Sequence, residues 1–309
     1  MTEPGPEARN RLRLIVQRTA ELPPLKSVAA RAIAVAEDER SAAMDLAAVL
    51  SSDQALTARL LRLSNSAYYG YPRRIGNVRE AVILLGMRTV RSVAITSGII
   101  DSFRSLELEG FNQDLFWAHS VTVGIVSEAL ARDTRTARPE DAFTAGVLHD
   151  VGQLAMLLCE PEAFAEVIDL VTTRRVRFAE AERMVFGFSH AQVGGRLAER
   201  WRFPEPLVSA IRGHHDRLTG SLDSLADIVN AANLAVNRAG MAAGWDWTRR
   251  PECWPREALP PRAEEALRRV PGGIRALEQK ARAFLTHVST CPPQWYAGDP
   301  PGDDSALVA

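Results

Sequence analysis

The chain has 309 residues, 46% hydrophobic and 24% charged, with Lys+Arg 37 against Asp+Glu 38 and a formal charge of −1. That composition excludes a disordered or collagen-like chain, and the length buries roughly 75% of the unfolded surface, enough to fold without a staple. The balanced charge leaves no net field to draw the chain onto DNA or an anionic membrane, and aromatics at 6% favour helix over strand.

In chain order, Leu22–Leu25 (LPPL) announces a short amphipathic helix over Ser27–Glu37. Asp53 is the expected N-cap of a helix whose apolar face carries Leu56, Leu60, Leu61 and Leu63. Asn77 with Glu80 reads as a capping box ahead of Ala81–Leu85, and Gly86 separates that helix from one over about 88–103. Later helices are expected near 113–132, 140–158, 161–174, 189–201, 205–213 and 221–239, with another over 262–287. Alternation at period two is missing, so the expected fold class is all-α.

The expected organisation is an extension over 1–17, a first helical half over 18–108, a second over 109–240, and a C-terminal extension over 241–309. The joint between the halves falls at 104–111, around Gly110. Half of the 18 prolines and four of the 6 tryptophans lie beyond position 240, where Trp245, Trp247 and Trp254 are expected to fold back and seal the bundle, a docking surface being the competing reading. The last twenty or so residues read as a loosely held tail. Cys159, Cys253 and Cys291 are far apart, which suits a reducing compartment. The N-terminus lacks the basic-then-apolar pattern of a signal peptide, and no run is expected to reach the roughly 18 apolar residues of a spanning helix. A cytoplasmic location away from membranes is the resulting expectation.

Five of the 6 histidines fall on four successive expected helices: His119, His149 with Asp150 beside it, His190, and the pair His214 and His215. Imidazole and carboxylate are natural ligands for Zn, Mn or Fe. Neighbouring residues on a helix point about 100° apart, so His149 and Asp150 share an ion only in a seam between helices. Gly146, Gly152, Gly194 and Gly195 are the small residues that would let such helices approach. The competing reading of any single one is a hydrogen-bonded structural histidine, and for His214 and His215 a helix C-cap meeting the dipole. His287 is expected to be structural or solvated.

Between Gln54 and Ser92 stand seven arginines, at 59, 62, 73, 74, 79, 88 and 91, against the single acid Glu80, interleaved with Tyr68, Tyr69 and Tyr71. Phosphate contacts plus stacking are the chemistry of nucleic-acid and nucleotide sites, which makes Arg73, Arg74, Arg88 and Arg91 the candidates there. Pairing of these arginines with acids elsewhere is the competing reading, and no helix-in-groove signature supports DNA recognition.

Over about residues 18–240 the chain resembles the HDOD family, a regulatory branch of the HD metal-dependent phosphohydrolase superfamily. The likeness rests on Leu22–Leu25, on Ser52–Ser66 (SDQALTARLLRLSNS), and on Tyr69-Gly70, Ile75, Ala81-Val82 and Leu85-Gly86. It continues through Ala145–Gly152 (AGVLHDVG), His190–Gly194 (HAQVG), Trp201 with Pro204, and His214 with His215. The resemblance implies an N-terminal helical bundle packed against an HD-like helical bundle. It also implies a bacterial signal-transduction role as an output or adaptor module meeting a protein partner, and a partly retained divalent-metal site for Fe, Mn, Zn or Mg. His119, His149 and Asp150 align with the family's first ligands, and His190, His214 and His215 with the extra histidines of two-metal relatives such as the HD-GYP phosphodiesterases.

The chain departs from the catalytic pattern at several of these positions. Asn233 stands where a later Asp is usual and is a weaker, neutral ligand; Gln153 replaces a Lys, and Leu115 a Glu. His215 runs into Asp216–Gly220 (DRLTG) rather than a Gly-Tyr-Pro. A metal-dependent phosphohydrolase acting through His149 and Asp150 on a nucleotide or phosphodiester is therefore the alternative reading. Nucleic-acid or nucleotide binding through 54–92 is a second alternative.

Overall fold

The fold is that of a computed structural model and describes residues 5–19, 31, 35, 43–66, 69–103, 111–216, 218, 220–241 and 257–288. Among the described residues there are helices and no β-strand, as the missing alternation requires. The motif at Leu22–Leu25, most of the expected helix over Ser27–Glu37, the joint over 104–110, Trp245, Trp247 and Trp254, and the tail from 289 onward lie outside them.

Among the described residues, α1 (Pro6–Thr19) lies ahead of the first half, which carries α2 (Ala43–Ser51), α3 (Gln54–Ser64), α4 (Val78–Leu85) and α5 (Met87–Ser102). Asp53 caps α3 as expected, its carboxylate accepting from Leu56 N at 3.0 Å. Asn77 caps α4 by accepting from Glu80 N at 2.9 Å, but the reciprocal reach of Glu80 goes to Gly76 N, 3.0 Å away. At Gly86, φ is +85°, and the chain turns 116° between α4 and α5.

The second half is α6 (Gln113–Thr134), α7 (Pro139–Leu148), α8 (Val151–Cys159), α9 (Pro161–Arg174), α10 (Phe178–Phe186), α11 (His190–Arg200), α12 (Glu205–Gly213) and α13 (Leu225–Arg238). The single helix expected over 262–287 is two, α14 (Pro261–Arg268) and α15 (Gly273–Val288), parted at Gly272 and Gly273 where φ is positive; α15 packs on both α3 and α6 and so ties the halves together. His287 lies on α15 near Arg62, away from the other histidines. Helix α1 docks the other way, onto α8 and α11, through Leu12 and Ile15. One apolar core runs through both halves, from Leu46 and Leu60 through Val121, Leu148 and Ile211 to Phe284.

The run Pro139–Cys159 is, contrary to the sequence expectation, long and apolar enough to cross a membrane by length and composition. Its most apolar stretch is 89% buried inside the protein, packed between α5, α6, α11 and α13, which is the role of a core helix pair. It is not one helix but two. The expected element over 140–158 breaks at His149 and Asp150, and that break builds the site.

Candidate metal centre

The five histidines arrive at helix ends or on an inward helix face, His214 and His215 together. His119 projects from the buried face of α6, and His149 and Asp150 are the two residues between α7 and α8. His190 opens α11 behind the Ser189–Gln192 capping box, and His214 and His215 follow the last turn of α12. The helices close on one another because two contacts admit no side chain. A Cβ on Gly146 would stand 2.7 Å from Gly124 Cα, and one on Gly152 only 2.0 Å from the His190 carbonyl oxygen.

Hydrogen bonding fixes which ring nitrogen each histidine presents. His149 Nδ1 lies 2.7 Å from the Gly146 carbonyl and His214 Nδ1 2.7 Å from that of Ile211. Carbonyl oxygens only accept, so both Nδ1 atoms carry the proton and both Nε2 atoms are left as donors of a lone pair. His190 Nδ1 meets the Glu182 carboxylate at 2.6 Å and so carries a proton as well, which leaves Nε2 as the atom a cation would take in exchange for its own proton. The three Nε2 atoms then converge on Asp150. His149 is 3.2 Å from Oδ2, while His190 and His214 are 3.1 and 3.5 Å from Oδ1. His215 Nε2 completes the second side, 2.9 Å from His190 Nε2, and the His119 ring centroid is 5.5 Å from that of His149.

Two sets of donors result, His119 with His149 and Asp150, and Asp150 with His190, His214 and His215. Within each set the donor atoms lie within 4.8 Å of one another, and Asp150 belongs to both. His119, His149, Asp150, His190 and His214 are buried, and His215 is exposed at the rim.

The electrostatics follow from that burial. Desolvation, reinforced by His149, lowers His119 to about 4, and desolvation likewise lowers His214 to about 4. Burial also opposes charge on His190, but the Glu182 carboxylate and hydrogen bonds to Asp150 and Glu182 outweigh it and raise the ring to about 10. For Asp150, burial is overcome by His149 and by the closeness of His190 and His214, which hold the carboxyl well below its ordinary value.

The donor set fits a divalent cation. His149 Nε2 and His119 Nδ1 are buried with no hydrogen-bond partner, a condition that costs about 1–3 kcal/mol per atom unless something accepts the lone pair. Five imidazoles and a shared carboxylate are the ligand chemistry of Zn, Mn or Fe. Asn233 sits beside His119 on α13, its side-chain oxygen accepting from Asn237 Nδ2 at 2.7 Å.

The arginine candidates lie elsewhere, in the first half. Arg73 pairs with Glu80, Arg74 and Arg88 are exposed, and Arg91 is buried in an ion pair with Asp141 at 2.7 Å that ties α5 to α7. Arg59 is also buried, bonded to Asp101 and Ser97 at 2.6 Å each. Burial removes Arg91 from reach of a phosphate in solvent, and the pairing alternative holds for Arg59, Arg73 and Arg91. A cavity of about 790 Å³ between the halves is lined by Tyr69, Tyr71, Phe143 and Lys280 among others, and no histidine of the cluster lines it.

Sequence reasoning missed Glu182, which lies fully buried on α10, a helix outside the expected set. The available signal was Phe178, Ala181, Glu182, Val185 and Phe186, one apolar stripe at helical spacing with a carboxylate inside it.

Comparison with known proteins agrees with this fold. The family model for the HDOD domain matches residues 22–217. The crystal structure of an HDOD domain protein of unknown function from Geobacter sulfurreducens superposes with a TM-score of 0.72 at 26% identity, covering 89% of this chain and 98% of the other. A candidate phosphohydrolase from Shewanella amazonensis SB2B gives 0.65 at 26% identity, covering 87% and 97%. An uncharacterized protein of Treponema pallidum (strain Nichols) is 28% identical over 203 residues, 65% of this chain, which spans only 39% of that relative's length.

Proposed function

Because the chain belongs to the HDOD domain family, we propose that it serves bacterial signal transduction as an output or adaptor module whose second half is organised by a divalent-metal centre. The single observation that supports the centre is the shared Asp150, reached from one side by His149 and from the other by His190 and His214. Partner recognition is the signalling part of the reading and rests on the family likeness. The partner would be a signalling protein meeting a helical face.

A second reading, a metal-dependent phosphohydrolase, is favoured by His215, the one member of the two donor sets whose residue is exposed. A divalent ion there would act as a Lewis acid on water and on a phosphoryl oxygen. The chain's own residues supply the rest: His119, His149 and Asp150 would hold an ion on one side, and Asp150, His190, His214 and His215 on the other. Asn233 in place of a carboxylate and Gln153 in place of a Lys weaken this reading relative to the first.

The experiment compares the native protein with a His149→Ala, Asp150→Ala double variant in two assays. Affinity capture from a bacterial lysate at physiological concentration is expected to recover one specific protein with the native chain, and recovery of none contradicts the adaptor reading. Turnover of a generic phosphodiester with added Mn²⁺, lost in the double variant, would establish the hydrolase. Equal turnover by both proteins excludes it.

A further inference from the structure

Glu182 is a fully buried carboxylate on α10, and among the described residues it forms no ion pair with an arginine or lysine. Its Oε2 accepts two hydrogen bonds from one residue, the backbone N–H of His190 at 2.9 Å and the ring Nδ1–H of His190 at 2.6 Å. Its Oε1 is buried without a hydrogen-bond partner. Burying a carboxylate this completely is costly, and a buried charge is retained where its partner demands it. The partner is the imidazole at the centre of the second donor set, whose Nε2 lies 3.1 Å from Asp150 Oδ1, 3.2 Å from His214 Nε2 and 2.9 Å from His215 Nε2.

The two other converging rings are oriented by main-chain carbonyls, Gly146 for His149 and Ile211 for His214. His190 alone of the three is held by a charge. A histidine whose Nδ1–H is bound to a carboxylate has its ring plane fixed and its Nε2 made more basic, the arrangement that sustains metal-ligating histidines elsewhere. The ring has a second restraint: the His190 carbonyl packs where a Cβ of Gly152 would stand, so the backbone cannot turn to compensate for loss of the carboxylate.

We infer that Glu182 is the positioning residue of the second donor set, fixing His190 with its proton on Nδ1 and its Nε2 aimed at the ion held with Asp150, His214 and His215. This rests on the metal-centre reading above. It adds an asymmetry that the reading does not contain: the His119–His149–Asp150 set needs no buried carboxylate behind it, and the His190 set does.

The test uses the full chain and Glu182→Gln, which keeps the shape of the side chain and removes its charge. Zn²⁺ titration calorimetry of the metal-freed proteins is expected to give two binding events in the native chain. In the variant one event is unchanged and the other is weakened roughly 10- to 100-fold. Identical affinities for both events in the two proteins overturn the inference. A second measurement needs no metal: ¹⁵N-resolved NMR of the metal-free native protein should show a low-field, slowly exchanging His190 Nδ1 proton that Glu182→Gln abolishes. Absence of that proton in the native protein overturns the inference even if the variant does not fold. Its presence in a protein that binds no Zn²⁺ removes the metal-centre reading and with it any ligand role for His190, leaving Glu182 only a structural partner, which also overturns the inference.

Discussion

His190 Nε2 lies 3.1 Å from Asp150 Oδ1, joining the first residue of α11 to the break between α7 and α8 across forty residues of sequence. The contact is possible because α8 and α11 touch through glycine. Four consequences of that packing and its charges can be measured.

Gly152→Ala places a methyl 2.0 Å from the His190 carbonyl oxygen and 2.8 Å from Gly194 N, both main-chain atoms that cannot rotate away. Overpacking of this kind costs about 1–3 kcal/mol, so the urea midpoint is expected to fall with an unchanged m-value. His190 should move with the backbone, and Zn²⁺ affinity of its donor set should drop in the same variant. An unchanged urea midpoint contradicts the close approach of α8 and α11.

The metal-free protein should be most stable near neutrality. His119 and His214 are held at about 4 against 6.5 when unfolded, so the unfolded chain binds the extra protons as pH falls from 6.5 to about 4, and stability is lost over that window. His190, raised to about 10, acts in the opposite sense: its contribution is complete below 6.5 and is lost as pH rises toward 10. Thermal melts in chelator across pH 4.5 to 9 should therefore show a maximum in Tm between roughly pH 6 and 7. A Tm that climbs steadily to the alkaline end contradicts the charge pattern.

Much of this centre was legible in the sequence because it is written in rare residues. Histidine is scarce here, and the five that cluster could be picked out before any fold was known. The seam argument for His149 and Asp150 also held, since neighbours on one continuous helix cannot share an ion. The helix break that satisfies it was not legible: Ala142–Cys159 is apolar almost throughout, so periodicity runs through positions 149 and 150 without a signal. Helices α1, α2 and α10 escaped the sequence reading, α1 because its polar outer face dominates a short span with only Leu12 and Ile15 buried in its apolar stripe, and α10 because Glu182 interrupts its stripe. The buried arginines could not be told from the exposed ones in the sequence. A guanidinium that binds phosphate and one that closes a buried ion pair look alike in sequence, and only the fold brings Asp101 to Arg59 and Asp141 to Arg91.

Asn233→Asp supplies a carboxylate beside His119 where the chain has a neutral amide. An opposite charge at that range should raise the His119 pKa from about 4 by roughly one to two units, readable by NMR titration of the metal-free protein. The same substitution should tighten Mn²⁺ at the His119–His149–Asp150 set and leave the His190 set unaltered. If the His119 titration does not move, Asn233 is not at the ring and its place in the centre is lost.

The shared carboxylate is the centre of the account, and metal content tests it most directly. Native protein saturated with Zn²⁺, dialysed and measured by elemental analysis should retain more than one ion per chain. Asp150→Asn should lose ions from both donor sets at once, because one side chain serves both. Native protein that retains no ion, or an Asp150→Asn variant that retains as much as the native chain, contradicts it.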